Sequence, residues 1–244
     1  SYNVMSKTTI KSRAIVLQTI KYGDNSLVVK MLTEEEGIQS FMVKGVFGKK
    51  SKMKAALFQN MTILDIVADT STNSLGFIKE ICLSRYYKTL STDIKKSTII
   101  IFVSELLSKS ISESESDKEL FSFIYNSMLW LDDAVSDYAN FPIIFAMRLS
   151  RYLGFYPNID TYSEESSFDL LDGNFKTYHN DIYQIDSELS KCFFELCKPN
   201  NDNLTINNST RRSLLEAIVT YYKLHADNVR DIKSYEILRT LLDV

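Results

Sequence analysis

The chain of 244 residues carries 28 basic and 31 acidic side chains, a formal net charge of −3, and 45% hydrophobic residues. The length is typical of one large or two unequal domains. The composition is that of a globular protein and excludes a disordered or fibrous chain. Its three cysteines, Cys82, Cys192 and Cys197, form no Cys-x-x-Cys pair, which predicts no disulfide framework and a cytoplasmic location. No apolar run approaches the roughly 18 residues of a membrane-spanning helix, so we predict no membrane partner.

The first 83 residues have the pattern of an antiparallel β domain. Runs rich in β-branched and aromatic residues are separated by Gly, Asn, Asp and Ser, and the first three runs are too close for crossover helices. Such a series of short strands predicts a small closed barrel, with an OB-fold as the leading candidate and a half-open sandwich as the alternative. The five predicted strands are residues 13–20, 26–33, 37–46, 60–68 and 75–83.

From about residue 88 the hydrophobic period becomes that of amphipathic helices. The third helix has the clearest ends, with Asn140 as N-cap, Pro142 in the first turn and Gly154 as the left-handed residue after the helix. The predicted helices are residues 97–111, 117–135, 140–155, 209–226 and 232–242.

Residues 155–186 lose the helical period, and Asp172-Gly173 predicts a hairpin with a two-residue type I′ turn. The predicted fold class is therefore α+β. We expect an N-terminal five-stranded OB-fold domain at residues 1–83, followed by an all-α helical domain at 84–244 that carries this small hairpin insert.

Residues that enzymes commonly use are sparse. His179 and His225 are far apart, and the sequence lacks the His-Glu-x-x-His, Gly-x-Ser-x-Gly and Gly-x-x-x-x-Gly-Lys motifs. Cys192 and Cys197 do not present two sulfurs on one helical face, so they predict no zinc site. We predict that the protein is not an enzyme and uses no cofactor. An enzyme would require a polar cleft that gathers a histidine with carboxylates.

The most distinctive local feature is the basic stretch KGVFGKKSKMK at residues 44–54. Residues 1–80 carry eleven basic and seven acidic side chains, whereas residues 81–244 carry seventeen and twenty-four. Lysines that bind phosphates beside an aromatic ring that stacks on a base predict nucleic-acid binding. The alternatives are a solvated loop that keeps an edge strand soluble and, for Phe47, a place in the core. The candidate DNA-binding residues, including three cations on neighbouring strands, are Lys44, Phe47, Lys49, Lys50, Lys52, Lys54, Arg13, Lys30 and Lys79.

Several short motifs occur in order over nearly the whole chain. The N-terminal motifs are Ala14-Ile15-Val16-Leu17, Tyr22-Gly23-Asp24, Leu32-Thr33-Glu34 to Gly37, and Val43-Lys44-Gly45 with Lys49-Lys50-Ser51. The C-terminal motifs are Ser104-Glu105-Leu106-Leu107, Leu120-Phe121, Leu149 to Leu153-Gly154-Phe155, and Lys233-Ser234 to Leu238. In order and spacing, these motifs resemble the RecO family of bacterial recombination mediators. Asp24, where Glu is usual, and Asn60, where Pro is usual, are local departures.

The resemblance implies an OB-fold and a helical domain that act without covalent catalysis. RecO proteins bind single- and double-stranded DNA, anneal complementary strands, bind the C-terminal tail of single-stranded-DNA-binding protein, and with RecR help to load RecA. Many also hold a four-cysteine zinc site in the insert, but residues 155–186 contain no cysteine, so we predict no zinc.

For the acidic, hydrophobic partner tail we predict Arg148 and Arg151 as cations at the rim of an apolar groove, since they lie three residues apart on one helix. Ordinary surface arginines are the alternative for this pair. The alternative for the whole chain is a protein–protein adaptor whose barrel is a docking platform.

Overall fold

A computed structural model of the chain describes residues 7–51, 54–112 and 115–241. These residues belong to two compact units, one ending at Asp133 and the other beginning at Ala134. The predicted strand-to-helix boundary at residue 83 is the last residue of the fifth strand, and the first two helices belong to the same compact unit as the strands. Residue 83 as the end of an independent domain stays a prediction.

Five strands build the first unit, and their alternating apolar residues explain why they form a sheet with one buried face. Each strand pairs with two neighbours, antiparallel throughout except for the parallel β3–β5 pair, and the sheet closes in the order β1-β2-β3-β5-β4. The strands are β1 (Lys7–Tyr22), β2 (Ser26–Thr33), β3 (Gly37–Lys44), β4 (Ile63–Ser71) and β5 (Gly76–Leu83).

One long strand and one short seam make this closure possible. β1 pairs with β4 through its first half and with β2 through its second half, and its register shifts between Val16 and Gln18, as a bulge that bends a strand does. The seam between β3 and β5 has only the pairs Phe41–Gly76 and Met42–Phe77. A Cβ atom at Gly76 would lie 2.4 Å from the carbonyl oxygen of Asp69, so glycine is required there.

Two helices complete the first unit, α1 (Ile94–Ser110) and α2 (Lys118–Asp133). The side chain of Asp93 caps α1 by accepting hydrogen bonds from two backbone N–H groups. The hydroxyl of Ser104 in α1 donates a 2.5 Å hydrogen bond to the carbonyl of Leu17 in β1, which fixes the helix on the sheet.

Within the described residues, the second unit holds four α-helices, two short 3-10 helices and a small hairpin. The α+β class, with a five-stranded sheet followed by helices, is therefore confirmed, although α4 was not among the predicted helices. None of the helices that the structure describes is long and apolar enough to cross a bilayer. The elements are α3 (Phe141–Tyr152), β6 (Ser167–Asp169), β7 (Asn174–Lys176), α4 (Ser187–Cys197), α5 (Asn208–His225) and α6 (Ser234–Leu241).

The predicted ends of α3 are confirmed, whereas the predicted two-residue hairpin turn is wrong. Asn140 occupies the N-cap position, Pro142 lies in the first turn, and Gly154 has φ +87°, as expected of the residue after a helix. The side chain of Asn140 makes no capping hydrogen bond; its Oδ1 accepts from Arg211 and its Nδ2 donates to a carbonyl. The hairpin turn contains four residues, not two, since β6 and β7 pair through Asp169 and Asn174. The carboxylate of Asp169 accepts the N–H groups of Leu171 and Asp172 and so stabilises the longer turn.

Candidate nucleic-acid interface

The basic stretch begins at the last residue of β3 and continues into a loop whose first residues are bound to the β1–β2 turn. The backbone carbonyl of Asn25, in that turn, accepts the N–H groups of Gly45 and Val46 at 2.8 and 3.3 Å. The side-chain oxygen of Asn25 accepts the N–H of Phe47 at 3.1 Å. Gly45 has φ +74°, a conformation that favours glycine. The start of the loop is therefore held against the β1–β2 hairpin.

Three lysines of this stretch are available to bind an anion. Lys44, Lys49 and Lys50 are exposed, and none of their ammonium groups has an ion pair or hydrogen bond within the part of the chain that the structure describes. Three ammonium groups on one short segment create a positive field that attracts phosphates over a Debye length of about 8 Å.

The remaining two lysines of the stretch differ from these three. Lys52 lies outside the described residues, so its place stays a prediction. The ammonium group of Lys54 donates to the carbonyls of Gly48 and Lys49 at 3.1 and 3.2 Å. Lys54 therefore stabilises the loop through hydrogen bonds to its backbone, and replacing Lys54 would change the shape of the loop as well as its charge.

Phe47 is 52% exposed, so its alternative placement in the core is wrong. The ammonium group of Lys21 lies 5.4 Å from the centre of its ring. Tyr22, next along β1, is 61% exposed and pairs with Ser26, which in turn pairs with Lys44. Residues paired in this way point to one side of the sheet. Tyr22 and Lys44 therefore lie on one side of the sheet, whereas Lys21, which pairs with the buried Leu27, lies on the other.

Arg13 does not extend the loop patch. It lies beside Glu34 in the β2–β3 turn, whereas the loop is fixed to the turn before β2; the eight-residue strand separates the two turns by about 25 Å. Its guanidinium donates two 2.8 Å hydrogen bonds to Glu34 and lies 5.4 and 4.6 Å from the rings of Phe121 and Tyr125. The hydrogen bond from Arg13 lowers the pKa of Glu34, which keeps this pair ionised.

Lys30 and Lys79 also have partners in the protein. The ammonium group of Lys30 donates a 2.6 Å hydrogen bond to the carbonyl of Ser108, in the last turn of α1, where a cation stabilises the helix dipole. Lys79 forms a 3.0 Å ion pair with Asp69. The structure therefore does not bring Arg13, Lys30 or Lys79 into the loop patch, and their contact with DNA stays a prediction.

The two arginines predicted to bind a partner tail lie on α3 of the second unit, and both are exposed. Arg148 donates a 2.6 Å hydrogen bond to the side-chain oxygen of Asn201. The guanidinium of Arg151 lies 4.4 Å from the ring centre of Tyr156. Each of these two cations is thus held in place by a neighbouring side chain of the same unit.

Sequence reasoning missed Lys21 and Asn25, which complete the loop site. Neither belongs to a charged cluster or to a motif with a known ligand. The signal was in the strand register: antiparallel pairing of β2 with β3 places the turn before Ser26 beside the segment after Lys44.

Comparisons with known proteins agree over most of the chain. Residues 5–87 match the family described as recombination protein O N terminal, and residues 91–236 match recombination protein O C terminal. The DNA repair protein RecO of Flavobacterium psychrophilum is 36% identical over 234 residues, which cover 94% of this chain and 98% of that protein. Those of Bacteroides fragilis and Flavobacterium johnsoniae are each 34% identical, over 96% and 95% of this chain and 99% and 98% of the relatives.

Proposed function

Because the chain belongs to the RecO family, we propose that it is a DNA repair and recombination protein that binds DNA at the loop end of its barrel and anneals complementary strands. The observation that carries this proposal is the set of exposed lysines, Lys44, Lys49 and Lys50, on a loop fixed beside the half-exposed ring of Phe47.

Annealing is a problem of charge repulsion between two polyanions. Cations that neutralise phosphates on each strand lower this repulsion and release counterions, and no bond needs to form or break. We therefore propose a protein without covalent catalysis and without a cofactor. We assign the barrel to the OB-fold class, because a five-stranded barrel with a short β3–β5 seam is the partly open type that binds oligonucleotides in many proteins.

The wider set of partners follows from the same family membership. We propose that the protein is cytoplasmic, binds single- and double-stranded DNA, engages the C-terminal tail of single-stranded-DNA-binding protein through Arg148 and Arg151, and acts with RecR in loading RecA. The charge of the two arginines complements an acidic tail, which supports this assignment.

The experiment is an annealing assay with two complementary labelled oligonucleotides and no nucleotide triphosphate. We expect the parent protein to accelerate annealing, and the variant Lys44→Ala/Lys49→Ala/Lys50→Ala to lose most of that acceleration. Lys54 is left in place because it shapes the loop.

The matched control removes three exposed lysines that lie elsewhere, Lys95→Ala/Lys191→Ala/Lys223→Ala. It lowers net charge equally, so equal losses in both variants would mean that only overall charge matters. If the folded loop variant anneals as fast as the parent protein, the loop is a solvated edge, and the adaptor alternative is favoured.

A further inference from the structure

The fifth strand of the barrel is paired on only one side over most of its length. β4 pairs with β5 along almost the whole strand, whereas β3 pairs with it only at Gly76 and Phe77. β3 ends at Lys44, and the loop that follows bonds to Asn25, on the side of β2. The second edge of β5 is therefore open over residues 78–83, which we call the open edge.

The backbone of the open edge is available for pairing with another strand. In an antiparallel ladder, alternate residues of a strand bond to the neighbour, and the residues between them point to the other side. The N–H of Ser84 donates to the carbonyl of Ile63 at 3.0 Å, which places Cys82 among the residues bonded to β4. Ile81 and Leu83 therefore direct their N–H and C=O groups to the open edge, and no described residue bonds to them there.

The open edge is neither covered nor blocked. Beyond β3 and β4, no helix or strand that the structure describes packs closely along β5. The edge contains no proline, and its one lysine, Lys79, forms a 3.0 Å ion pair with Asp69. Ile78, Ile81 and Leu83 pack against the core but stay partly exposed. Proteins usually protect such edges, so an open edge beside apolar side chains indicates a partner strand.

The outer side of this edge is acidic. Glu80 and its diagonal neighbour on β4, Asp65, are exposed and lie about 7 Å apart. Neither carboxylate has an ion pair or hydrogen bond to a described residue, and both line an open groove of about 530 Å³. Lys11 also lines the groove, but it lies on β1, two strands from the open edge. A strand that fits β5 therefore has basic residues on its outer side and apolar residues on its inner side.

We propose that the open edge docks an extended segment of a partner protein, which adds to the sheet as a further strand. The apolar residues of the segment extend the core at Ile81 and Leu83, and its basic residues pair with Glu80 and Asp65. In strand addition, backbone hydrogen bonds supply affinity and alternate side chains supply specificity. The loop lysines take no part in this contact, so the proposal does not depend on DNA binding.

The probe is a fluorescent ten-residue peptide of alternating lysine and valine, and anisotropy measures its binding to the full chain. One control peptide alternates glutamate and valine. The other keeps lysine and valine but carries methyl groups on its central backbone nitrogens, which removes the N–H donors and leaves charge unchanged. We expect the parent protein to bind both controls at least about tenfold more weakly than the probe, as for loss of two or more hydrogen bonds.

Two substitutions locate the site. Ile81→Pro removes an N–H that faces the open edge and no bond to β4, a position at which an edge strand tolerates proline. It should weaken probe binding at least about tenfold. Glu80→Lys should weaken it about 2-fold to 30-fold and strengthen binding of the glutamate peptide, since cross-strand attraction becomes repulsion. The matched control Glu165→Lys, at an exposed acid of the second unit, should change neither affinity.

If Ile81→Pro does not fold, amide hydrogen exchange of the parent protein decides. The N–H groups of Ile81 and Leu83 should exchange fast in the free protein and at least about tenfold more slowly with the probe, whereas that of Cys82 should be slow in both. The loop-lysine variant of the annealing assay should bind the probe like the parent protein, which separates this proposal from the proposed function.

Three results overturn the proposal. These are no binding of the probe by the parent protein, equal binding of the methylated peptide, and self-association of the parent protein that Ile81→Pro abolishes. In the last case a second copy of this chain occupies the open edge.

Discussion

The buried carboxylate of Asp132 should be essential to the stability of the first unit. It lies at the end of α2, is 5% exposed, and accepts backbone N–H groups from the segment between β5 and α1. The distances are 2.9 and 3.0 Å to Lys88, 2.8 Å to Thr89 and 3.2 Å to Leu90. These bonds join the last turn of α2 to the connection that follows the barrel.

The cost of removing this carboxylate follows from the bonds it makes. Each hydrogen bond to a charged group contributes about 1.5–3 kcal/mol, and each buried donor left unpaired costs a similar amount. Water that enters the space left by Asp132→Ala satisfies part of this demand, so we expect a loss of about 3–5 kcal/mol. Asp132→Asn keeps one acceptor oxygen and should lose about half as much.

The pH dependence of this loss is specific. Burial raises the pKa of Asp132, whereas the hydrogen bonds from Lys88, Thr89 and Leu90 lower it. Together the hydrogen bonds outweigh burial, so the pKa of Asp132 lies below its ordinary value. A lowered folded-state pKa contributes stability that is complete above the unfolded pKa, about 3.9, and is lost as pH falls through the folded pKa. The difference between parent and Asp132→Asn should therefore be largest near neutral pH and shrink below about pH 4.

Urea unfolding followed by tryptophan fluorescence measures this loss. The chain has one tryptophan, Trp130, which lies on α2 two residues before Asp132. The control is Asp133→Asn, which breaks only an exposed ion pair with Lys88 and should leave the urea midpoint unchanged. If Asp132→Asn unfolds at the same urea concentration as the parent protein at pH 7, the role assigned to this carboxylate is wrong.

Three further predictions concern other parts of the chain. Because residues 155–186 contain no cysteine, the purified protein should contain no zinc and keep its circular dichroism spectrum in chelator, and elemental analysis finding about one zinc per chain would contradict this. Gly76→Ala should lower stability by about 1–3 kcal/mol in thermal unfolding, because its Cβ would meet the Asp69 carbonyl at 2.4 Å, whereas Gly48→Ala, with its nearest atom at 3.6 Å, should not. Arg148→Ala/Arg151→Ala should weaken binding of an acidic partner-tail peptide about tenfold or more in calorimetry, and an unchanged affinity refutes that site.

The strands of the barrel could be predicted from the sequence because most of them carry their own alternating pattern of buried residues. The order of residues along β2, for example, fixes which side chains face inward, and a local pattern of this kind needs no distant partner. The basic loop was readable for the same reason, since its lysines are consecutive neighbours in the chain.

Other features depend on residues far apart in sequence and were not predictable. The sequence suggested that Arg13 was available to bind DNA, but in the fold it contacts Glu34, Phe121 and Tyr125, which lie far from it in the chain. Ile20, Val28, Met42 and Phe77 become neighbours only once four strands are in register. Helix α4 did have a local signal that sequence reasoning missed, since the side chain of Asp186 caps it by accepting the N–H of Leu189.

The central claim is that the loop lysines bind DNA phosphates, and the salt dependence of single-strand affinity tests it most directly. Each phosphate contact contributes about 0.7 to the slope of log affinity against log salt concentration on single strands. The variant Lys44→Ala/Lys49→Ala/Lys50→Ala should therefore show a slope smaller by about 2 than the parent protein, whereas Lys95→Ala/Lys191→Ala/Lys223→Ala should keep the parent slope. A folded loop variant with the affinity and slope of the parent protein would contradict the account.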